Sequence, residues 1–278
     1  MQEYLDTNFD INSNELVEVL DELQLWAAPF GLKLLDKLRL RKNITILDIG
    51  FGAGFPLTEL AMRFGKTCLV YGIDPWKTGI KRAQKKIEFY GIRNTKIIEG
   101  VAEDIPLENK SIDLIVSNNG LNNVDNLDKA LSECSRIIKS GGQFVLTFNL
   151  DTTMIEFYKM LEDLFLELNM TSELQKMKQH IYKKRKPLDE FIQMIEKNGF
   201  IINEVKHDKF EYKFIDGTAM LHHFFIRLAF LNEWKNIIPS EEQSKIFNNL
   251  EYRMNERAGI DGFFKLSVPF VVIDAVKK

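Results

Sequence analysis

Between residues 44 and 150, short apolar runs alternate with longer segments in which apolar residues recur every three or four positions. The short runs are typical of buried strands, and the longer segments are typical of amphipathic helices. Strands that alternate with helices predict a parallel sheet covered by helices on both faces. The predicted strands span residues 44–49, 68–73, 95–99, 112–117 and 143–148, and the predicted helices span residues 56–64, 77–90 and 126–138.

The pattern changes on both sides of this region. Residues 14–40 are predicted to be helical, with breaks at Pro29 and Gly31. Pro269 lies inside the last predicted strand and indicates an edge strand, a bulge or a strand start. After residue 150 we predict helices over 152–168, 172–184, 187–198, 217–234 and 241–257, and strands over 201–215 and 263–276.

Composition and charge narrow the classes of protein to consider. The 278 residues are 45% hydrophobic and 28% charged, which is typical of a globular protein. A net charge of -3 gives no general electrostatic argument for nucleic acid as a partner. The two cysteines do not make a disulfide framework, and no apolar run is long enough to span a membrane. We therefore expect a cytoplasmic protein.

A glycine-rich stretch, LDIGFGAGFP over 47–56, follows the first strand of the alternating region and precedes its first helix. Glycines at such a turn let backbone amides approach a ligand, and a helix N-terminus favours negative charge. The usual nicotinamide fingerprint has its last glycine three residues after the second, and Phe55 stands there instead. Asp48 lies just before the glycines, and a carboxylate there suits a ligand with a cationic group.

Asp74 lies at the end of the second predicted strand. A carboxylate at this place can accept hydrogen bonds from both ribose hydroxyls of an adenosine. Aspartate is also favoured before the first turn of a helix, so Asp74 can equally cap the helix over 77–90. The two roles are compatible, and the sequence leaves both open.

Three further segments complete an ordered set with the glycine loop and Asp74. They are EGVAEDIPL over 99–107, IDLIVSNNGLNNV over 112–124 and RIIKSGGQFVLT over 136–147. In this order the five elements resemble the class I S-adenosylmethionine-dependent methyltransferases, in particular the small-molecule branch typified by ubiquinone and menaquinone biosynthesis. The resemblance covers residues 44–150 and the closing strand pair near Ile201 and Phe263. It implies an α/β fold with a three-layer Rossmann-like sheet, mostly parallel with an antiparallel last strand, and a helical cap.

The same resemblance implies the cofactor and the residues that bind it. S-adenosylmethionine would be the cofactor, and Gly50, Gly52 and Gly54 would pass under its methionine part. Asp48 would lie near its amino group, and Asp74 would hold its ribose.

Two further segments are assigned by the resemblance. Ala102 and Glu103 would lie along the adenine, and Asn118 would line the methionine side through its backbone. The family often has an aspartate before the alanine, where this chain has Val101, so Glu103, Asp104 or backbone groups must replace it. Paired histidines of the family are replaced by asparagines at positions 122 and 123.

The resemblance also divides the chain. Residues 41–150 would form the S-adenosylmethionine-binding core, continued by residues 187–216 and by a last strand over 261–278. Helices outside this pattern would cover the site: an N-terminal lid over 1–40, cap helices over 151–186 and a cap insertion over 217–260. Tyr4 and Phe9 are candidates to close over the cofactor.

The predicted helix over 217–234 contains two candidate general bases, His222 and His223. On one continuous helix, His222 would share a face with Phe225, and His223 would share one with Arg227. The histidines would then serve either as a base in an aromatic pocket or as surface residues of a packed cap. The sequence leaves both readings open.

A basic run, KMKQHIYKKRK over 176–186, precedes the third of the later helices. It would contact an anionic substrate or a nucleic acid, or it would be a solvated helix end. His180 and His207 have no partners at the spacing of metal ligands, so we expect no metal.

We therefore expect transfer of a methyl group to a small-molecule acceptor by in-line displacement in a capped pocket. The alternatives are an NAD(P)-dependent oxidoreductase and a non-catalytic module that binds S-adenosylmethionine. Neither a nucleic-acid partner nor a membrane span is expected, and the oligomeric state is left open, with a homodimer as one option.

Overall fold

The computed structural model describes Leu5, Asp10, residues 12–19 and residues 26–278. Tyr4 and Phe9, which were predicted to close over the cofactor, lie outside the described residues. The strands are β1 (Thr45–Ile49), β2 (Leu69–Asp74), β3 (Thr95–Glu99), β4 (Ile112–Asn118), β5 (Ile138–Asn149), β6 (Phe200–Phe214) and β7 (Phe264–Lys277).

The helices of the described chain fall into two groups. Those before β5 are α1 (Asn14–Val19), α2 (Ala27–Leu35), α3 (Leu57–Phe64), α4 (Lys77–Phe89) and α5 (Leu127–Ile137). Those after β5 are α6 (Ile155–Glu167), α7 (Thr171–Lys184), α8 (Leu188–Lys197), α9 (Gly217–His222), α10 (Phe224–Ile226), α11 (Asn232–Ile237) and α12 (Ser240–Asp261), with a π-helical turn at Arg227–Leu231.

The seven strands form one sheet in the order β3-β2-β1-β4-β5-β7-β6. The pairs from β3 to β5 are parallel, and β7 runs antiparallel to β5. The predicted mostly parallel sheet with an antiparallel last strand is therefore confirmed. The direction in which successive strands are added reverses between β1 and β4. In sheets of this kind such a reversal leaves a crevice at the carboxyl ends of the strands.

The sheet is held by a continuous apolar core. Residues 46–49 of β1 and all but one of the residues of β4 are buried, as expected for parallel strands covered on both faces. Helix α5 presents Ala130, Leu131 and Cys134 to this core, at the three- and four-residue spacing of one helical face. Phe148 of β5 stacks on Phe191 of α8 at 3.9 Å between ring centroids.

The chain forms two compact units. The first contains residues 1–10, 151–186 and 209–269, and the second contains residues 11–150, 187–208 and 270–278. The second unit holds β1 to β5 and the helices among them. The lid and cap roles given to segments of the chain stay predictions.

The N-terminal helical segment differs from its prediction in one respect. Pro29 and Gly31 were expected to break a helix, but both lie inside α2. Pro29 is the third residue of α2, in the first turn, where backbone amides have no acceptor within the helix. Position 31 requires glycine because a Cβ atom there would lie 2.2 Å from the ring of Phe55.

The position of the last strand tests the three settings predicted for Pro269, which were an edge strand, a bulge and a strand start. The edge option is wrong, because β7 lies between β5 and β6 in the sheet. Pairing with β5 begins at Phe270, directly after the proline, and continues to Val276. Pro269 therefore precedes the paired segment, where its missing amide hydrogen removes no bond to β5.

Membrane-spanning helices and clusters of metal ligands are both absent from the described residues. None of their helices is long and apolar enough to cross a membrane. No group of three or more His, Cys, Asp or Glu side chains in that part of the chain could hold a metal ion. The expectation of a metal-free protein stays a prediction.

Candidate functional site

A cavity of about 350 Å³ lies within the second unit, at the carboxyl ends of β1 to β4. Four segments build it, and each follows one of these strands. This is the crevice that the reversal between β1 and β4 predicts. The lining residues are Ile49, Gly50, Gly52, Ile73, Asp74, Pro75, Gly100, Val101, Ala102, Glu103, Gly120, Asn123, Val124 and Asp125.

The floor of the cavity forms where the loop after β1 meets the loop after β4. Gly50 has φ of 77°, in the left-handed region, and a Cβ atom on it would lie 2.6 Å from Cα of Gly120. A Cβ atom on Gly120 would lie 2.2 Å from the carbonyl oxygen of Ile49. Two glycines are needed here because the two backbones touch.

Asp74, at the end of β2, fixes the glycine loop. One carboxylate oxygen accepts a hydrogen bond from the Gly52 amide at 2.8 Å, and the other accepts one from the Trp76 amide at 2.8 Å. Burial raises the pKa of Asp74, and these two amides partly offset the rise. The residue directly before α4 is Trp76, so Asp74 does not occupy the N-cap position, although it accepts the Trp76 amide hydrogen.

Gly52 leaves open space where a side chain would stand. Its φ is 53°, and a Cβ atom there would meet nothing within 4 Å. The loop therefore presents backbone at the cavity, and Asp74 keeps acceptor capacity, because a carboxylate has about four lone-pair sites.

Asp48 is a buried carboxylate without a partner. The residue is 0% exposed, and neither side-chain oxygen has a hydrogen-bond partner among the described residues. Burial raises the pKa of Asp48 well above 3.8, and the charge of Asp74 raises it further. The Leu57 amide, which does not meet the geometry of a hydrogen bond to it, acts in the opposite direction. An unpaired buried carboxylate is costly, which indicates that a cationic group completes this position.

The segment after β3 forms another wall. Val101, Ala102 and Glu103 all line the cavity, as expected for the two that were assigned to the adenine. One oxygen of Glu103 accepts hydrogen bonds from the amides of Asp125 at 2.9 Å and Asn126 at 3.0 Å. Glu103 thus joins this wall to the start of α5.

Three of the predicted cofactor-binding residues do not line this cavity: Asp48, whose buried carboxylate is described above, Gly54 and Asn118. Gly54 has φ of 121°, and its carbonyl oxygen accepts from the hydroxyl of Thr58 in the first turn of α3. The Asn118 side chain donates to the carbonyl oxygen of Ala27 at 3.1 Å and accepts from the Thr147 hydroxyl at 3.1 Å. Gly54 and Asn118 support the walls.

Several wall residues were not predicted from the sequence, and most of them follow β3 or β4. They are Gly100, Gly120, Asn123, Val124 and Asp125, together with Pro75 after β2. The glycine in SNNG was a visible signal for Gly120. Its close contact with the first loop, however, depends on the pairing of β1 with β4, which is remote in sequence.

The comparisons with known proteins bear on this geometry. A family model described as a methyltransferase domain matches residues 47–146, the segment that builds the cavity. A demethylmenaquinone methyltransferase of a Geobacillus species is 28% identical over 194 residues, which are 67% of this chain and 80% of that protein. A ubiquinone/menaquinone biosynthesis C-methyltransferase of Campylobacter jejuni is 34% identical over 113 residues, which are 39% of this chain and 46% of that protein.

Residues 47–146 match a methyltransferase domain, and the relatives support a class I S-adenosylmethionine-dependent enzyme. The fold agrees with that of a geranyl diphosphate C-methyltransferase from Streptomyces coelicolor. The TM-score is 0.55 and the identity 15%, covering 100% of this chain and 87% of that one. The predicted family, fold, enzyme class and cofactor are confirmed. Neither the oxidoreductase nor the non-catalytic module is supported by these comparisons.

The residues of the methyltransferase cavity fit S-adenosylmethionine. The cofactor carries an ammonium group, and Asp48, directly before the cavity-lining Ile49, has an unpaired carboxylate. It carries a ribose with two hydroxyls, and Asp74 lines the cavity with lone pairs to spare. Gly52 adds a backbone surface that no side chain covers.

The two candidate bases of the methyltransferase lie in its first unit. Helix α9 ends at His222, and His223 has extended backbone angles, so the continuous helix predicted over 217–234 is wrong. The His223 ring packs against Phe214 at 5.4 Å between centroids. Tertiary contacts of this kind override local helix propensity. The role of either histidine as a base stays a prediction.

Asp48→Asn is expected to stabilise the methyltransferase without cofactor and to weaken cofactor binding. The raised pKa of Asp48 means that its ionisation opposes folding. Wild-type stability therefore falls as pH rises from about 4 towards the folded-state pKa, and the variant loses this component. Urea unfolding across pH measures the difference, with Asp104→Asn, an exposed carboxylate change, as control. An advantage of the variant that shrinks with rising pH would contradict the assignment.

Proposed function

We propose that the chain methylates a carbon atom of a small organic acceptor, such as a quinol of the menaquinone type. The proposal is supported by the two sequence relatives, whose names specify a demethylmenaquinone methyltransferase and a C-methyltransferase. The observation that carries the cofactor part is the buried unpaired carboxylate of Asp48 beside the open glycine loop.

In this proposal the residues of the cavity hold the cofactor by its two ends. S-adenosylmethionine supplies a methyl group activated on a sulfonium sulfur. Asp48 neutralises the ammonium end, and Gly50 and Gly52 provide backbone under the methionine part, while Gly54 holds the loop to the first turn of α3. Asp74 accepts hydrogen bonds from the ribose. These contacts fix the direction from which an acceptor must approach.

The adenine end is bounded by Val101, Ala102 and Glu103. Because Glu103 already accepts two backbone hydrogen bonds, we propose that its second carboxylate oxygen or nearby backbone groups meet the adenine amino group. Asn118 acts by holding the loop after β4 through Ala27 and Thr147. Positioning of this kind can supply about 7–11 kcal/mol of the barrier reduction.

A turnover assay tests this function. Purified protein is incubated with S-adenosylmethionine and a reduced demethylated naphthoquinone, or with matched phenol, amine and thiol acceptors. Formation of S-adenosylhomocysteine with a new carbon-bound methyl group in the quinol product is the expected result. Methylation restricted to oxygen, nitrogen or sulfur acceptors would contradict the carbon assignment, and absence of turnover with every acceptor would contradict the proposed acceptor class.

His223→Ala tests the proposal that His223 is the general base. Burial lowers the pKa of His223, so the ring is neutral and able to accept a proton at neutral pH. We expect kcat to fall by about 10²- to 10⁴-fold, and the acid limb of the wild-type pH profile to disappear. His222→Ala is measured beside it, because His222 is the other candidate base and both side chains are exposed. An unchanged kcat in both variants would remove the histidines from the reaction.

We also propose that the protein works in the cytoplasm as a small-molecule enzyme. Cys68 and Cys134 are both free and buried, which fits a reducing compartment. Burial raises the pKa of the Cys134 thiol to about 12, so this cysteine stays protonated and unreactive.

A further inference from the structure

The first unit contains a group of polar and aromatic side chains that the cofactor site does not use. Tyr158 lies on α6, His180 on α7 and Arg185 directly after α7, while Glu233 and Trp234 lie on α11. Arg185 belongs to the basic run KMKQHIYKKRK, for which the sequence left an anionic substrate, a nucleic acid and a solvated helix end open.

Most polar atoms of this group are paired with each other. The Trp234 indole N–H donates to the Tyr158 hydroxyl at 3.1 Å, and that hydroxyl lies 3.2 Å from Nε2 of His180. Burial lowers the pKa of His180, so its ring is neutral and Nε2 can accept the Tyr158 proton. With the imidazole proton on Nδ1, the hydroxyl of Tyr158 donates one hydrogen bond and accepts one.

The charges of the group do not balance. Glu233 forms an ion pair with Lys184 at 2.7 Å, so these two charges largely offset each other. Glu233 also lies 4.0 Å from His180, which is neutral. The guanidinium of Arg185 remains charged under all ordinary conditions. Because Glu233 is paired with Lys184, no carboxylate of the group forms an ion pair with Arg185.

Arg185 is almost wholly buried. It is 5% exposed, and its Cζ lies 5.9 Å from the ring centroid of Tyr158. Its terminal nitrogen Nη1 is inaccessible to solvent and has no hydrogen-bond partner in the described chain. Buried charged groups in proteins are normally paired, because removal from water without a partner costs several kcal/mol. A solvated helix end does not describe this residue.

We propose that Arg185 is the binding group for an oxyanion, a carboxylate or a phosphate, carried by a small molecule. The guanidinium presents its donors in a planar fork that matches both groups. The ring of Tyr158 faces the guanidinium, and Trp234, which donates to the Tyr158 hydroxyl, stacks on Phe157 at 3.9 Å between ring centroids. An oxyanion would pair the single buried charge and supply the acceptor that Nη1 lacks.

Thermal unfolding of the full-length protein tests the site without cofactor or turnover, so its outcome is independent of the proposed function. The probes are sodium phosphate, pyrophosphate and benzoate, each at an ionic strength matched with sodium chloride. We expect at least one of them to raise the Tm of the wild type in a saturable way, by about 2 °C or more. A response to phosphates alone assigns a phosphorylated ligand, and a response to benzoate assigns a carboxylate.

The variants locate the response. Arg185→Met is expected to lose it and to be at least as stable as the wild type without anion, because an unpaired buried charge is removed. Arg185→Lys keeps the charge without the fork, and we expect a smaller response. Lys183→Met removes an exposed charge of the same run and keeps the full response. No rise in wild-type Tm above the chloride control, or an equal rise in Arg185→Met, would overturn the proposal. If Arg185→Met does not fold, the wild type and Arg185→Lys decide.

Discussion

Asp74→Ala is expected to weaken the binding of S-adenosylmethionine by about 1–3 kcal/mol, which is about 5- to 150-fold in Kd. Two losses contribute to this effect. The ribose hydroxyls lose their acceptor, and the Gly52 amide loses the oxygen that holds it at 2.8 Å. Isothermal titration with S-adenosylmethionine and with S-adenosylhomocysteine measures the change, and both ligands are expected to be affected because both carry the ribose.

Two variants separate these losses. Asp74→Asn keeps one acceptor oxygen in place, so we expect a Kd between those of the wild type and Asp74→Ala. Asp104→Ala removes an exposed carboxylate after β3 that does not line the cavity, and it is expected to bind as the wild type does. An unchanged Kd in a folded Asp74→Ala protein would remove Asp74 from the site.

Gly50→Ala is expected to destabilise the fold by about 2–5 kcal/mol and to abolish cofactor binding in whatever protein folds. A left-handed backbone costs a residue with a Cβ atom about 1–2 kcal/mol. Forcing the Cβ atom to 2.6 Å from Cα of Gly120 adds an overpacking cost of about 1–3 kcal/mol, because the neighbour is backbone and cannot rotate away. Relief of this contact would separate the loops after β1 and β4.

Gly259→Ala is the matched control for this change. Gly259 lies inside α12, and a Cβ atom there would meet nothing within 4 Å. We expect the control to raise stability by about 0.4–1 kcal/mol, since alanine reduces the freedom of the unfolded chain. Urea unfolding compares the two variants. A Gly50→Ala protein as stable as the wild type would show that the close approach of the two loops is not required.

The parts of the fold and site that could be predicted from the sequence depend on local chemistry. Apolar runs between glycines placed β1 to β4 within two residues of their observed bounds, because strands buried on both faces need continuous apolar residues. Asp74, Ala102 and Glu103 line the cavity, because Asp74 ends β2, the other two follow β3 closely, and the carboxyl ends of parallel strands meet.

The features that were missed depend on contacts between distant parts of the chain. The contact of Gly50 with Gly120 exists only once β1 pairs with β4. The break at His223 occurs without proline or glycine, where the ring packs on Phe214 of another element. Arg185 is buried although it belongs to a run of charged residues that includes exposed lysines, so the sequence does not indicate its burial. Local propensity does not encode any of these.

The fold by itself does not determine the reaction, since one fold hosts many functions. The distinction between this enzyme and a nicotinamide-dependent one depends on the loop, where Phe55 replaces a glycine and Asp48 is buried without a partner. A pyrophosphate would bring negative charge towards that carboxylate, whereas an ammonium group would neutralise it.

The structure of the protein crystallised with S-adenosylhomocysteine tests the central claim most directly. The account predicts the ligand at the carboxyl ends of β1 to β4, with its ribose hydroxyls on Asp74 and its adenine against residues 101–103. Its amino acid end would lie over Gly50 and Gly52, with Asp48 close to the ammonium group. A ligand bound elsewhere, or bound here with its ribose away from Asp74, would contradict the account.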